Sequence, residues 1–196
     1  MDTEVSRTQA VFALLAGVTG VAGSFGAAGY TRQFVVAPVD AAVVRLTPGA
    51  VVAFVIQNVG EGGHLLHIAL SVGIAAGVFA SASLVGLAAA RRSDHTLLGA
   101  GVAGGLSWGV AAGLTAEPVL AAAAAAPVAI ITALGTTTEP GVGFDPSRRR
   151  TLLSGVGAIG FVGAAGLVGR LRDDDAGGGT GADDTLRTVP SPEVQE

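Results

Sequence analysis

Glu61, His64 and His67 follow one another at intervals of three residues. On a helix that spacing projects them from neighbouring faces within about a turn and a half. One carboxylate and two imidazoles can ligate a metal or a haem, or relay a proton. Ionisable groups in a membrane segment are functional suspects by default. The competing reading places all three in the headgroup zone, solvated or hydrogen-bonded to the preceding loop. A bis-histidine haem needs ligands on facing helices. The third histidine, His95, falls at the far end of the same apolar stretch, so haem is disfavoured and a structural or quinone-contacting role is favoured. Asp40 and Arg45 read as an exposed ion pair of small worth. Glu117 and Glu139 read as solvated loop residues. The sequence holds no nucleophile–base pair, phosphate-binding loop or zinc spacing, and no Cys for a disulfide or thiolate site.

The elements that must position these residues follow from composition. Of 196 residues, 50% are hydrophobic and only 13% charged, about half the charge a soluble domain of this size carries. Aromatic residues make up 5%, and Gly numbers 31, so any interior is built from small side chains. This excludes a conventional soluble enzyme and predicts an all-α, polytopic integral membrane bundle. Crossing a bilayer takes about 20 mostly apolar residues. Five stretches qualify, at about 10–30, 65–90, 97–114, 119–135 and 151–169. Pro118 suits the first turn of the fourth. Residues 1–30 read as a retained anchor in preference to a cleaved signal peptide.

Between the first two spans, Thr47-Pro48 reads as a helix start, with Thr47 as N-cap. The apolar run that follows ends after about a dozen residues, too short to span. A short interfacial or re-entrant helix over about 48–58 is expected. Its rival is a sixth span over 38–59, which would bury Arg45. Arginine clusters arbitrate, since cytoplasmic loops carry the basic excess. With five spans, Arg7, Arg91-Arg92 and Arg148–Arg150 share one side. The N-terminus is then cytoplasmic and the C-terminus extracytoplasmic, in a multi-pass protein of the cell membrane. The domain boundary falls at residue 172. From Asp173, repeated Asp and Gly predict a solvated, disordered acidic tail.

Glycine recurs in rows. The first span has Gly17, Gly20, Gly23, Gly26 and Gly29, the fifth Gly157, Gly160, Gly163, Gly166 and Gly169. The third has Gly101, Gly105, Gly109 and Gly113. Small residues along a helix ridge let backbones approach closely in lipid, where no hydrophobic drive assembles helices. The four-residue row is the stronger candidate for a packing face. The three-residue rows drift by about 60° per step and wind around their helices, which weakens that reading for them.

All 11 basic residues are Arg and the formal net charge is -4, which gives no reason to expect nucleic acid as a partner. The all-Arg, acidic-tailed composition fits a GC-rich, salt-adapted source. The segment Ala37-Pro38-Val39-Asp40 with Val43-Val44-Arg45-Leu46-Thr47-Pro48-Gly49, then Gly60 and His64-Leu65-Leu66, resembles the membrane region of haloarchaeal sulfite-oxidase-like, molybdopterin-dependent oxidoreductases. Leu186-Arg187 and Val189-Pro190-Ser191-Pro192-Glu193-Val194 resemble the connector into their extracytoplasmic catalytic domain. The resemblance implies a non-catalytic anchor or docking domain, with molybdopterin held by a partner domain and no cofactor in this chain. Having no Cys to ligate molybdenum, the chain inherits no catalytic residue, and enzymatic activity of its own is not expected. The alternative is a small transporter or channel subunit with Glu61, His64 and His67 near an outer gate. The expected partners are the lipid bilayer, a molybdopterin oxidoreductase domain and, through the glycine faces, a second copy of the chain.

Overall fold

The computed structural model describes residues 6–58, 62–137 and 146–177, and these are helical apart from their connections. Seven helices follow in order: α1 (Arg7–Ala28), α2 (Val36–Leu46), α3 (Gly49–Asn58), α4 (Gly62–Ser93), α5 (Thr96–Thr115), α6 (Pro118–Thr136) and α7 (Pro146–Gly177). Four of them, α1, α4, α5 and α6, are long and apolar enough to cross a membrane. The count rises to five if the bent pair α2–α3 is one span; the fifth segment expected from the sequence, 151–169, lies within α7, which is not one of these four.

Local chemistry sets the helix ends. The hydroxyl of Ser6 accepts from Gln9 N at 3.3 Å while the Gln9 side chain accepts from Ser6 N at 3.2 Å, a reciprocal cap that starts α1. Gly29 ends it at φ +60°, a conformation L side chains rarely adopt. Pro118 opens α6 as expected, and the indole N–H of Trp108 donates to its carbonyl at 2.9 Å, closing the α5–α6 turn.

The α1–α7 contacts pair Gly26 with Ala165 and then Gly29 with Gly169, so these two helices run parallel. Gly17 meets Ala76 and Ala80 while Gly135, beside Phe12, meets Leu87; α4 and α6 therefore both run against α1. Gly86 against Gly99 and Ala103 makes α5 antiparallel to α4. This is an up-down bundle in which α1 starts at one end and α7 finishes at the other. α1 lies at its centre: 56% of its apolar window is buried, against 22% for α5.

That central position decides which glycines pack. Gly17 abuts α4; Gly20 lies between Phe79 of α4 and Val128 of α6; Gly23 faces Ala123 and Pro127 of α6; Gly26 and Gly29 face α7. The winding of a period-three row by about 60° per step carries it past three neighbours in turn. The expectation for the third span is corrected. Around Gly101, Gly105, Gly109 and Gly113 there is open space within the chain. The ridge of α5 that packs is Gly99, Ala103, Ser107 and Ala111, which is buried. It has the same four-residue period but is offset by two residues, about 200° around the helix, so the glycine row faces outward. In α7, Gly157, Gly160, Gly163 and Gly166 likewise meet nothing, and Gly169 alone of its row packs, against Phe25.

Helix α3 falls where the short helix was expected, and the α2–α3 pair is bent by 97°, the shape of a re-entrant loop or of a broken span. Two details differ. Residues 36–46 are themselves helical, and Thr47 closes α2 instead of opening α3: its hydroxyl donates to Val43 O at 2.7 Å. Pro48 marks the break, its carbonyl accepting from Val51 N at 2.9 Å. At the other end of the chain, α7 runs on through Asp173 to Gly177. Asp173 is not solvated tail but the acceptor for Tyr30 N at 2.7 Å. Beside it Arg172 donates to Gly26 O at 2.6 Å and also to Ala27 O. A guanidinium at unclaimed C-terminal carbonyls is favourable. Together the two residues tie the end of α7 to the end of α1.

Candidate functional site

Of the three residues spaced along 61–67, the structure places one side chain. Glu61 and the side chain of His64 lie outside the described residues. His67, in the second turn of α4, does not stand alone. Its Nε2 is 2.7 Å from Asp40 Oδ1 on α2. Ser71, one turn further along α4, donates to the same Oδ1 at 2.8 Å and stands 3.1 Å from His67 O. Asp40 is therefore not the partner of Arg45, as its place in sequence suggested. Arg45 lies one turn further along α2 and turns its Nε back to Ala41 O at 3.1 Å. The packing of α2 on α4 sets this outcome, because it brings a residue 27 positions distant closer to Asp40 than its helical neighbour.

The geometry of the pair matters. His67 Nε2 is shielded from solvent, and Asp40 approaches it off the ring's hydrogen-bonding direction, so the atom has an ionic neighbour without an aligned hydrogen bond. Nδ1 has no hydrogen-bond partner among the described residues. With the carboxylate against one imidazole nitrogen, the other nitrogen is left to donate or accept.

Asp40 and His67 stand at the edge of a pocket of about 530 Å³ between α1, α2, α4 and α7. Its wall is otherwise almost wholly apolar, with Phe25, Tyr30 and Phe34 on one side and Val72 and Ala76 on another. The three aromatic rings form an edge-to-face cluster, with centroids 4.8 Å apart for Phe25–Tyr30 and 5.4 Å for Phe25–Phe34. The connection that carries this cluster is held by Ser24, whose Oγ accepts from Val35 N at 3.1 Å.

Sequence reasoning missed Ser71, the aromatic cluster and the partner of His67. Aromatic residues crowded within 25–34 in a chain otherwise poor in them were the available signal. Nothing in a linear spacing pairs residue 40 with residue 67. Among the described residues no group of three His, Cys, Asp or Glu side chains could hold a metal ion. Among the described residues the buried set holds no charged side chain, and its polar members are Ser and Thr hydroxyls such as Ser83 and Thr132, 2.8 Å apart between α4 and α6. Compared with protein-family models, curated proteins and solved structures, the chain matches none.

Proposed function

We propose that this chain is a membrane anchor or docking domain for an extracytoplasmic oxidoreductase domain of the sulfite-oxidase-like, molybdopterin-dependent class. The observation that carries this reading is the clamp at the end of α7. Arg172 and Asp173 bind the last carbonyls of α1 and the N–H of Tyr30, so this part of α7 is fixed to the end of α1. That point is at the end opposite Arg91-Arg92, and α1 and α7 run parallel. With the positive-inside rule, this arrangement supports a cytoplasmic N-terminus and an extracytoplasmic end of α7 in the cell membrane. The all-Arg composition supports a halophilic archaeal source.

A gated transporter is the second reading, and the bent α2–α3 pair beside Asp40 and His67 is the feature that favours it. The absence of buried charge among the described residues favours the anchor. The test is purification of the intact protein from its native membrane in mild detergent, followed by elemental analysis and identification of bound proteins. Molybdenum in near-stoichiometric amount with a molybdopterin-binding partner is expected. Molybdenum-free protein, from membranes in which that partner is present, overturns the reading.

A further inference from the structure

We propose that the pocket between α1, α2, α4 and α7 binds the ring of a membrane quinone or hydroquinone, with His67 hydrogen-bonding its oxygen. The volume, about 530 Å³, admits a substituted six-membered ring with the start of its tail. The lining says what kind of ring. Walls of Val, Ala and Phe select an uncharged molecule that partitions from the bilayer. The aromatic cluster of Phe25, Tyr30 and Phe34 offers edges and faces to a flat ring.

The polar corner narrows the choice further. Asp40 and its hydrogen bond from Ser71 hold one side of the His67 ring, which leaves Nδ1 for a ligand. Neutral, Nδ1 accepts from a hydroquinone hydroxyl; protonated, it donates to a quinone carbonyl. Asp40 repels carboxylates and phosphates, which disfavours fatty acids and anionic lipid headgroups. Two donors, one imidazole and one carboxylate, fall short of a metal site. A lipophilic cation would suit Asp40, but that oxygen is already held by Ser71 and faces His67. The whole pocket lies at one end of the bundle. His67 is nine residues, about 13 Å, from Ala76 along α4, so the polar corner sits above the apolar floor, as a head-and-tail ligand requires.

The test uses the full chain in detergent with Trp108→Phe, which leaves Tyr30 as the only tyrosine or tryptophan and places it on the pocket wall. Decylubiquinone is titrated and quenching of tyrosine emission followed. Saturable quenching is expected, with at least a tenfold weaker Kd in His67→Leu and in Ala22→Phe, which fills the pocket and leaves Asp40 and His67 intact. His67→Gln, which keeps a donor and an acceptor, retains affinity within a few-fold. Unsaturable quenching that is equal in all variants overturns the proposal. So does saturable binding of tetraphenylphosphonium without quinone binding, which would make this a lipophilic-cation site, or a tightly co-purified lipid that decylubiquinone does not displace. The anchor reading is judged by molybdenum and partner, so either can fail alone.

Discussion

Gly23→Ala adds one methyl group to the place where the central helix comes closest to a neighbour. The new Cβ would collide with the carbonyl oxygen of Ala123 and stand 3.1 Å from both Ala123 C and Pro127 Cγ. Carbon atoms prefer about 3.5–4.0 Å, and the obstacle is mostly backbone, so α6 must move as a body. That oxygen is exposed to α1 for a reason. Pro127 lies inside α6 and has no N–H to offer the carbonyl four residues back, which is that of Ala123. Glycine lets α1 approach it, as neighbouring helices do for freed backbone groups in membranes. Overpacking costs about 1–3 kcal/mol, while alanine's helix preference over glycine returns about 1 kcal/mol. A net loss of up to about 2 kcal/mol follows. At Gly105 a Cβ meets nothing, so the same substitution there keeps only the gain. The two variants should differ by about 1–3 kcal/mol, roughly fivefold or more in unfolding constant. Trp108, hydrogen-bonded across the α5–α6 turn, reports unfolding through its emission as SDS displaces mild detergent. Equal SDS midpoints for Gly23→Ala and Gly105→Ala would refute the assignment of packing to α1.

Other outcomes follow from the same contacts. The chain has no Cys, so single cysteines report topology cleanly. In sealed membranes Ser6→Cys and Arg92→Cys should react with impermeant maleimide from one face, Thr31→Cys and Glu117→Cys from the other. Labelling of Ser6→Cys and Thr31→Cys from the same face is incompatible with the bundle. Asp40→Ala removes the group that both His67 and Ser71 face, at a cost of about 1–2 kcal/mol to the docking of α2. Amide exchange over 36–46 should quicken at least about fivefold, with α5 and α6 unaffected; unchanged exchange would show that other contacts hold α2. Asp173→Asn weakens the bond to Tyr30 N by about 1 kcal/mol, and faster exchange of that one amide is the measurement. Protection equal to the parent's would rule the clamp out.

The four spans of α1, α4, α5 and α6 were legible because a helix in lipid is announced by length and absence of charge, whatever it packs against. The turn at Pro118 and the break near Pro48 were legible for a similar reason: proline's missing N–H acts locally. The packing face of α5 was not. Two four-residue rows run along that helix, Gly101 to Gly113 and Gly99 to Ala111, and both are made of small residues. Composition favoured the first and the neighbouring helices took the second. The drift of the α1 row leaves its packing undecided in the sequence, and winding is useful on a helix surrounded by three others. The same row in α7, which packs along one side only, stays mostly open.

The charged residues divide along the same line. The shortage of charge fixed the solvent of this protein without reference to any fold. It could not say what the few charges would touch. Asp40 had Arg45 one turn away in sequence, and Asp173 opened what read as an acidic tail. The packing of α2 on α4 gave Asp40 to His67, and the parallel run of α1 and α7 gave Asp173 to Tyr30. Hydropathy is a property of each segment and survives in the sequence. A contact between residues 27 or 143 positions apart depends on how the segments are arranged, and only the folded bundle decides it.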